Sequence, residues 1–419
     1  MTTSKINIGL FGFGVVGESL WKVLQGNSSL QASIKKVCIK HPEKKRYAHD
    51  ALFTTDAAVL LIDPEINVIV ELIDDADAAY NIVKQALLSR RSVVTANKKM
   101  VAEHMSEFLS IQQQTGASLL YEAACCASIP VIRNLEEYYD NDLLQSVSGI
   151  VNGSTNYILT RIAEDGLDFA ASLKQAQTLG FAESDPALDI EGIDAANKLS
   201  ILLTHAYGIV VAPAEILTGG ITALQPEDIK YAKEKGYQIK LVAHAKKLAN
   251  GTVAALVLPQ FLNAENRLYH VHNEYNGVII ESALADQQFF NGKGAGGFPT
   301  ASAVISDLSA LRYNYHYEYK KWRGEQPLRL AEDFLLKVYF SSAFDDEGLP
   351  FPHFEDIEEW SCSGERTVLV GNVRYSSLLN DTWWKKAGAS LILLPEALEQ
   401  LSAPRVPANR RKWSLVLGY

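Results

Sequence analysis

The stretch Ile8-Gly9-Leu10-Phe11-Gly12-Phe13-Gly14-Val15-Val16-Gly17 decides the fold. An apolar run, Lys5–Phe11, leads into it and a helical pattern, Val16–Leu24, leaves it, so the glycines stand where a strand turns into a helix. Their spacing is G-x-G-x-x-G. Gly12 permits the tight turn, Gly14 lets the backbone approach a pyrophosphate, and Gly17 lets the helix pack on the strand. The free N–H groups and positive dipole end of such a helix favour phosphate. Gly12, Phe13, Gly14, Val15, Val16 and Gly17 therefore read as a cofactor-binding turn for a dinucleotide. The plainer reading is a glycine turn that serves only close packing.

Outward from this turn, strands are expected at Ile34–Lys40, Val68–Leu72, Ser92–Thr95 and Ser118–Tyr121, with helices at Ala76–Ser89 and Met100–Gln114. Apolar runs alternating with helices imply parallel strands covered on both faces, hence an α/β, Rossmann-type doubly wound domain. An NAD site usually places Asp or Glu at the tip of the second strand, to accept from the ribose 2′-OH. Here that tip reads Val37-Cys38-Ile39-Lys40-His41-Pro42-Glu43-Lys44-Lys45-Arg46. Lys40, with Lys44, Lys45 or Arg46, would neutralise a 2′-phosphate, so NADP is expected ahead of NAD. A solvated basic loop is the other reading.

A chain of 419 residues exceeds one ordinary core, and two or three domains follow. With a formal charge of −10, no domain-wide basic field exists to bind nucleic acid. No apolar run reaches bilayer length, and the first strand begins too close to Met1 for a signal peptide. A cytoplasmic protein without membrane partners is expected. Cys38, Cys125, Cys126 and Cys362 lack metal-ligand or disulfide-framework spacing and read as reduced thiols.

Three later segments carry chemistry. Val93-Val94-Thr95-Ala96-Asn97-Lys98-Lys99 opens a strand into a helix, at the carboxyl edge where open parallel sheets bind ligands. Asn152-Gly153-Ser154-Thr155-Asn156-Tyr157 follows a strand near Ser146–Val151 and offers N–H groups and hydroxyls to an anionic substrate. In the third segment, Glu183 to Lys198, Asp194 and Lys198 lie four apart and share a helix face. Alone, that spacing is most often an exposed ion pair. The density of acids, with Glu183, Asp185, Asp189, Glu191 and Asp194 so close together, suits an amino group and a hydroxyl or carbonyl better.

From Asn7 to Arg312 these motifs resemble homoserine dehydrogenase, in order. They are T-A-N-K, Tyr121-Glu122-Ala123, N-G-S-T-N-Y, the E-x-D-P…D-x-x-G-x-D-x-x-x-K block, and Gly292-Lys293-Gly294-Ala295-Gly296-Gly297-Phe298-Pro299-Thr300-Ala301. The resemblance implies reversible hydride transfer between L-homoserine and L-aspartate 4-semialdehyde, in threonine, methionine and isoleucine biosynthesis. It implies Lys98 and Lys198 as catalytic lysines, with Asp194 orienting Lys198. Substrate binding falls to Glu183, Asp189, Gly153 and Ser154. Thr95, Asn97, Lys98, Gly294 and Ala295 join the cofactor residues. A homodimer or homotetramer is implied. Because the chain opens on the dinucleotide fold, a monofunctional enzyme without a fused aspartate kinase is expected.

Two departures from the family pattern stand out. Ala124-Cys125-Cys126-Ala127-Ser128 replaces a glycine-rich run before Ile129-Pro130. Family members hold a monovalent cation there through backbone carbonyls, which would make Glu122, Cys125 and Ala127 sodium ligands in this chain. The C-terminal hundred residues resemble a degenerate ACT-like or packing domain, with Phe334–Phe340 and Arg366–Arg374 as strands. No Pro-Gly turn follows the first of these, so threonine feedback is not expected. The expected domains are 1–135 for the dinucleotide, completed by a helix in 300–320; an α+β unit in 136–299 for substrate, catalysis and dimerisation; and 321–419.

Overall fold

The computed structural model describes residues 5–26, 28–46, 48–141, 143–324, 327–343, 350–363 and 366–399. The last twenty residues of the expected C-terminal region lie outside them.

Strands β1 (Ile6–Phe11), β2 (Ala32–Cys38), β3 (Phe53–Thr54), β4 (Val68–Glu71), β5 (Ser92–Thr95) and β6 (Leu119–Leu120) form one sheet. Its order is β3-β2-β1-β4-β5-β6 and every pairing is parallel. The winding reverses between β1 and β4, which leaves a crevice beyond their carboxyl ends, at the glycine turn. All four residues of β4 are buried, as a strand covered on both faces requires.

The helix Val15–Gly26 springs directly from the turn. Gly12 has φ +93°, and a β-carbon there would lie 2.5 Å from the Leu72 carbonyl oxygen. A β-carbon on Gly17 would drive into the Gly12 carbonyl, so helix and strand meet at this point. Gly14, by contrast, faces open space. Gly17→Ala is therefore expected to force the helix off the turn, costing ~1–3 kcal/mol of stability and weakening dinucleotide binding. Thermal melts and a dinucleotide titration check this; wild-type values in both would remove the close-packing role.

Two expected boundaries move. The second strand ends at Cys38, two residues early, because the Ile39 N–H turns to the Thr54 carbonyl at 2.9 Å; Lys40 lies in the loop beyond. The expected helix 100–114 is two helices, Lys98–Glu103 and Met105–Thr115, broken at His104 with φ −117°.

The remaining strands are β7 (Leu144–Ile150), β8 (Leu217–Thr218), β9 (Gln238–Lys247), β10 (Val253–Leu262), β11 (Tyr275–Ser282), β12 (Asp286–Lys293), β13 (Leu335–Ala343), β14 (Phe354–Ser363), β15 (Arg366–Arg374) and β16 (Ser390–Glu399). They make a second sheet in the order β12-β11-β7-β9-β10-β16-β13-β15-β14, with β8 also on β10. Strands β13 to β16 thus continue the sheet of the middle region, joined where Leu393 pairs with Gln260. Phe334, Trp383 and Trp384 share an apolar cluster with Leu217, Leu256 and Leu258 beneath that seam.

The helix Ile193–Tyr207 is buried at every position after Ile193, which explains its apolar character on all sides. It packs on β9 and β10 and against the helix Lys98–Glu103 of the first sheet. The helix Gly297–Leu311 returns from β12 to lie along Val15–Gly26. Gly297 leaves no room for a side chain against Val15 and Ser19, so the late glycine run closes onto the first glycine turn.

Candidate active site

Two elements from different sheets deliver the site. At the end of β5, Thr95 Oγ1 donates to Glu71 Oε2 at 2.5 Å and accepts from the Asn97 N–H at 3.0 Å. Asn97 caps the next helix by accepting from the Met100 N–H, and its Nδ2 donates to the Ile73 carbonyl. Both side chains are committed to the scaffold, and their effect is to fix Lys98 at the crevice. Glu71 is fully buried, and burial lifts its pKa to about 7 against the bonds from Thr95 and the Ile73 N–H.

From the other side comes Asp194, in the first turn of the buried helix, where the dipole favours a carboxylate. Its Oδ1 lies 3.0 Å from Lys98 Nζ and its Oδ2 lies 2.6 Å from Lys198 Nζ. Lys198 also donates to the Val151 carbonyl at 2.7 Å. Asn152 completes the group, its Nδ2 donating to Asp194 Oδ2 at 2.8 Å and Asp189 Oδ1 at 2.6 Å, while its Oδ1 caps the helix Gly153–Asp165. Lys98 keeps 43% of its side chain exposed, whereas Lys198 keeps 9% and Asp194 5%. The ordinary surface ion pair is thereby ruled out for Asp194 and Lys198.

Burial pushes the Asp194 pKa up, but Lys198, Lys98 and Asn152 outweigh it and hold the carboxyl well below its usual range. For Lys198, burial favours the neutral amine, yet Asp194 prevails and holds it above the usual lysine value. The site therefore presents a buried ammonium at neutral pH.

The other expected residues take varied positions. Asp189 joins through Asn152, whereas Glu183 is exposed, its carbonyl accepting from Gln177. The Ser154 hydroxyl donates to the Phe181 carbonyl at 2.6 Å, and Gly153 lies tight against the Glu274 carbonyl, so both shape the local backbone. Gly294 and Ala295 lie on the glycine run between β12 and the helix Gly297–Leu311. Lys40 is exposed in the loop after β2. In the same loop Arg46 is held by the His41 and Lys44 carbonyls and lies over Phe53, whose ring meets Phe13 of the glycine turn.

Both carboxylate oxygens of Glu122 are occupied by N–H groups, of Ile132 and Arg133, each at 2.9 Å. Burial, then Asp307, raises its pKa to about 8. Cys125 and Cys126 are buried thiols, and Cys126 and Ala127 take left-handed backbone with φ 56° and 39°. Among the described residues no cluster of three or more His, Cys, Asp or Glu side chains is arranged to hold a metal. No helix there is long and apolar enough to cross a membrane.

Asn152 and Glu71 escaped assignment from the sequence. Each had a signal: an N-cap asparagine leaving a strand, and an acid closing an apolar strand.

A doubly wound dinucleotide fold whose carboxyl edge meets a buried lysine–carboxylate pair defines a nicotinamide-dependent oxidoreductase. The family model for the NAD-binding domain of homoserine dehydrogenase matches residues 12–122, and that for homoserine dehydrogenase matches 130–309. Homoserine dehydrogenase of Bacillus subtilis is 36% identical over 318 residues, covering 74% of this chain and 73% of that one. The Helicobacter pylori enzyme is 38% identical over 311 residues, covering 73% of each. The crystal structure of a homoserine dehydrogenase from Thiobacillus denitrificans superposes with a TM-score of 0.80 at 29% identity, covering 93% of this chain and 98% of that one. A hyperthermophilic archaeal homoserine dehydrogenase mutant, solved in complex with NADPH, gives 0.64 at 26% identity over 75% of this chain and all of that one. The chain belongs to the homoserine dehydrogenase family. It is an oxidoreductase acting on a CH–OH group, interconverting L-homoserine and L-aspartate 4-semialdehyde with a nicotinamide dinucleotide.

Proposed function

We propose that Lys198 is the proton donor of this reaction, held charged and aimed by Asp194, with Lys98 as second lysine at the mouth. The observation that carries this is the shared carboxylate: one lysine on each oxygen, the inner one buried. A nicotinamide dinucleotide held at the Gly12–Gly17 turn would supply the hydride that the carbonyl carbon accepts. Lys198 donates a hydrogen bond to the carbonyl oxygen, stabilises the alkoxide and then protonates it. Asp194 keeps the resulting amine close to a strong reprotonating field. Lys98, half-exposed, connects the pair to solvent. A pre-charged ammonium suits the reductive direction. Glu183 and Asp189 are assigned to the substrate amino group, and Gly153 and Ser154 to its approach.

The crevice fits the dinucleotide: Gly14 is open, Gly12 and Gly17 admit no side chain, and the turn leads into a helix N-terminus. Gly12 to Gly17 are assigned to the pyrophosphate, Thr95, Asn97 and Lys98 to the ribose side, and Gly294 and Ala295 to the nicotinamide side. NADP is the proposed cofactor, with Lys40 and Arg46 on the 2′-phosphate. The double variant Lys40→Ala/Arg46→Ala is expected to raise KM for NADP about tenfold or more and leave KM for NAD nearly unchanged. Equal changes for both would make the loop mere surface.

Sodium fits the chemistry of the Cys125–Ala127 turn through the Cys125 and Ala127 carbonyls, since a hard cation prefers oxygen. Glu122 would act by holding this turn, its carboxylate already being taken by N–H groups. A cytoplasmic homodimer or homotetramer, divided into domains 1–135 with the returning helix, 136–299 and 321–419, completes the proposal. The direct test is reduced-nicotinamide absorbance with L-homoserine and NADP. No signal from folded protein with either dinucleotide overturns the reading.

A further inference from the structure

Asn276 enters β11 opposite Gly292 of β12 and is wholly buried. Among the described residues it alone leaves both a side-chain donor and a side-chain acceptor buried without a hydrogen-bond partner. A buried amide in that condition is costly, and native interiors pair nearly all such groups. Something that offers one donor and one acceptor together would satisfy it.

Its surroundings indicate what that is. Gly294 covers the amide so closely that a β-carbon there would overlap it. On another side the amide reaches the Cys126 thiol, and sulfur is a weak hydrogen-bond partner. Cys126 in turn feels the charge of Lys198, and the Lys198 carbonyl accepts from Cys125. The glycine run that covers Asn276 ends at Gly297, packed on Val15 and Ser19 at the first glycine turn. Asn276 therefore lies beneath the run that joins β12 to the first glycine turn, next to a thiol that the Lys198 charge reaches.

We propose that Asn276 recognises the carboxamide of the nicotinamide ring, its Nδ2 donating to the carboxamide oxygen and its Oδ1 accepting from the carboxamide nitrogen. A primary amide is the self-complementary partner of another, which accounts for both unpaired atoms at once. The glycine run that covers the amide is exposed at Lys293 and Ala295 and half-exposed at Gly294, and recognition requires this run to shift when the dinucleotide binds. The proposal rests on the assignment of Gly294 and Ala295 to the nicotinamide side.

The test compares two ligands by calorimetry: the tighter-binding of NADPH and NADH, and the matching ADP-ribose, which lacks nicotinamide. For Asn276→Ala, dinucleotide affinity is expected to fall about tenfold or more while ADP-ribose affinity is unchanged. The melting point of the free protein should stay level or rise, because the substitution removes two unpaired atoms. Unchanged dinucleotide affinity overturns the proposal. An equal loss for both ligands also overturns it, because the residue would then only shape the glycine run. Asn276→Asp, which keeps the volume and loses the donor, gives the same comparison if the alanine variant does not fold. Ala295→Trp tests the underlying assignment separately, since it should block nicotinamide whatever Asn276 does. An effect there without one at Asn276 removes this proposal alone.

Discussion

Replacing Lys198 by alanine is expected to lower kcat about a thousandfold or more while leaving the dinucleotide Kd near wild type. The magnitude follows from counting donors. A lysine ammonium has three N–H groups, and here two are spent, on Asp194 Oδ2 and the Val151 carbonyl. The third is left for the substrate oxygen, with its direction set by the other two. Removing it takes away both the proton and the charge that meets the forming alkoxide. Lys98 does not substitute, because it reaches the other carboxylate oxygen and leaves much of its length in solvent. Binding of the dinucleotide, anchored at the glycine turn, should be spared. Steady-state rates in both directions, with a fluorescence titration of the reduced cofactor, check both halves. Normal turnover in Lys198→Ala would remove it from the reaction.

Asp194→Asn should be nearly as damaging, by another route. In the wild-type protein the pair holds constant charge across neutral pH. Asp194 contributes stability that is present above the ordinary value of 3.8 and is lost as pH falls through its depressed folded value. Lys198 contributes stability that is present below 10.5 and is lost as pH rises through its raised folded value. With asparagine in place, burial is no longer opposed and pulls the Lys198 pKa down. Reduction of the semialdehyde should fall about a hundredfold, and its alkaline limb should move to lower pH. Loss of the counter-ion should also cost ~3–5 kcal/mol of stability, because a buried charge is stranded. A pH–rate profile of the variant decides the matter. An unshifted alkaline limb would mean that Asp194 does not set the charge of Lys198.

What the sequence disclosed was what short-range spacing can encode. The glycine turn, the opening of β5 into Lys98, and the shared face of Asp194 and Lys198 are all separations of a few residues, governed by local backbone geometry. The doubly wound class of the first sheet followed from alternation, since parallel strands with intervening helices wind in few ways. What stayed hidden depends on contacts between distant segments. Lys98 and Asp194 meet across separate sheets. Asn152 serves two carboxylates that only folding brings beside it. The solitary look of the Asp194–Lys198 spacing concealed full burial, because the enclosing β9, β10 and neighbouring helix lie elsewhere in the chain. Strands β9 and β12 were blurred by mixed polar content, and the break at His104 carries no glycine or proline to announce it. The Ser154 hydroxyl, which reads as a ligand for substrate, is spent on Phe181.

The seam between β10 and β16 bears on how this gene can change. A regulatory module tethered by a linker can be exchanged, lost or fused elsewhere without disturbing its neighbour. Here β16 is a hydrogen-bonded neighbour of β10, and β10 leads through β9 to β7, the strand that runs into Asn152. Deleting the chain after Leu330 would uncover an interior strand edge and strip Leu217, Leu256 and Leu258 of their apolar cover. In this chain the C-terminal part is therefore a continuation of the middle sheet, and its loss would call for compensating changes along β10 and at Leu217, Leu256 and Leu258.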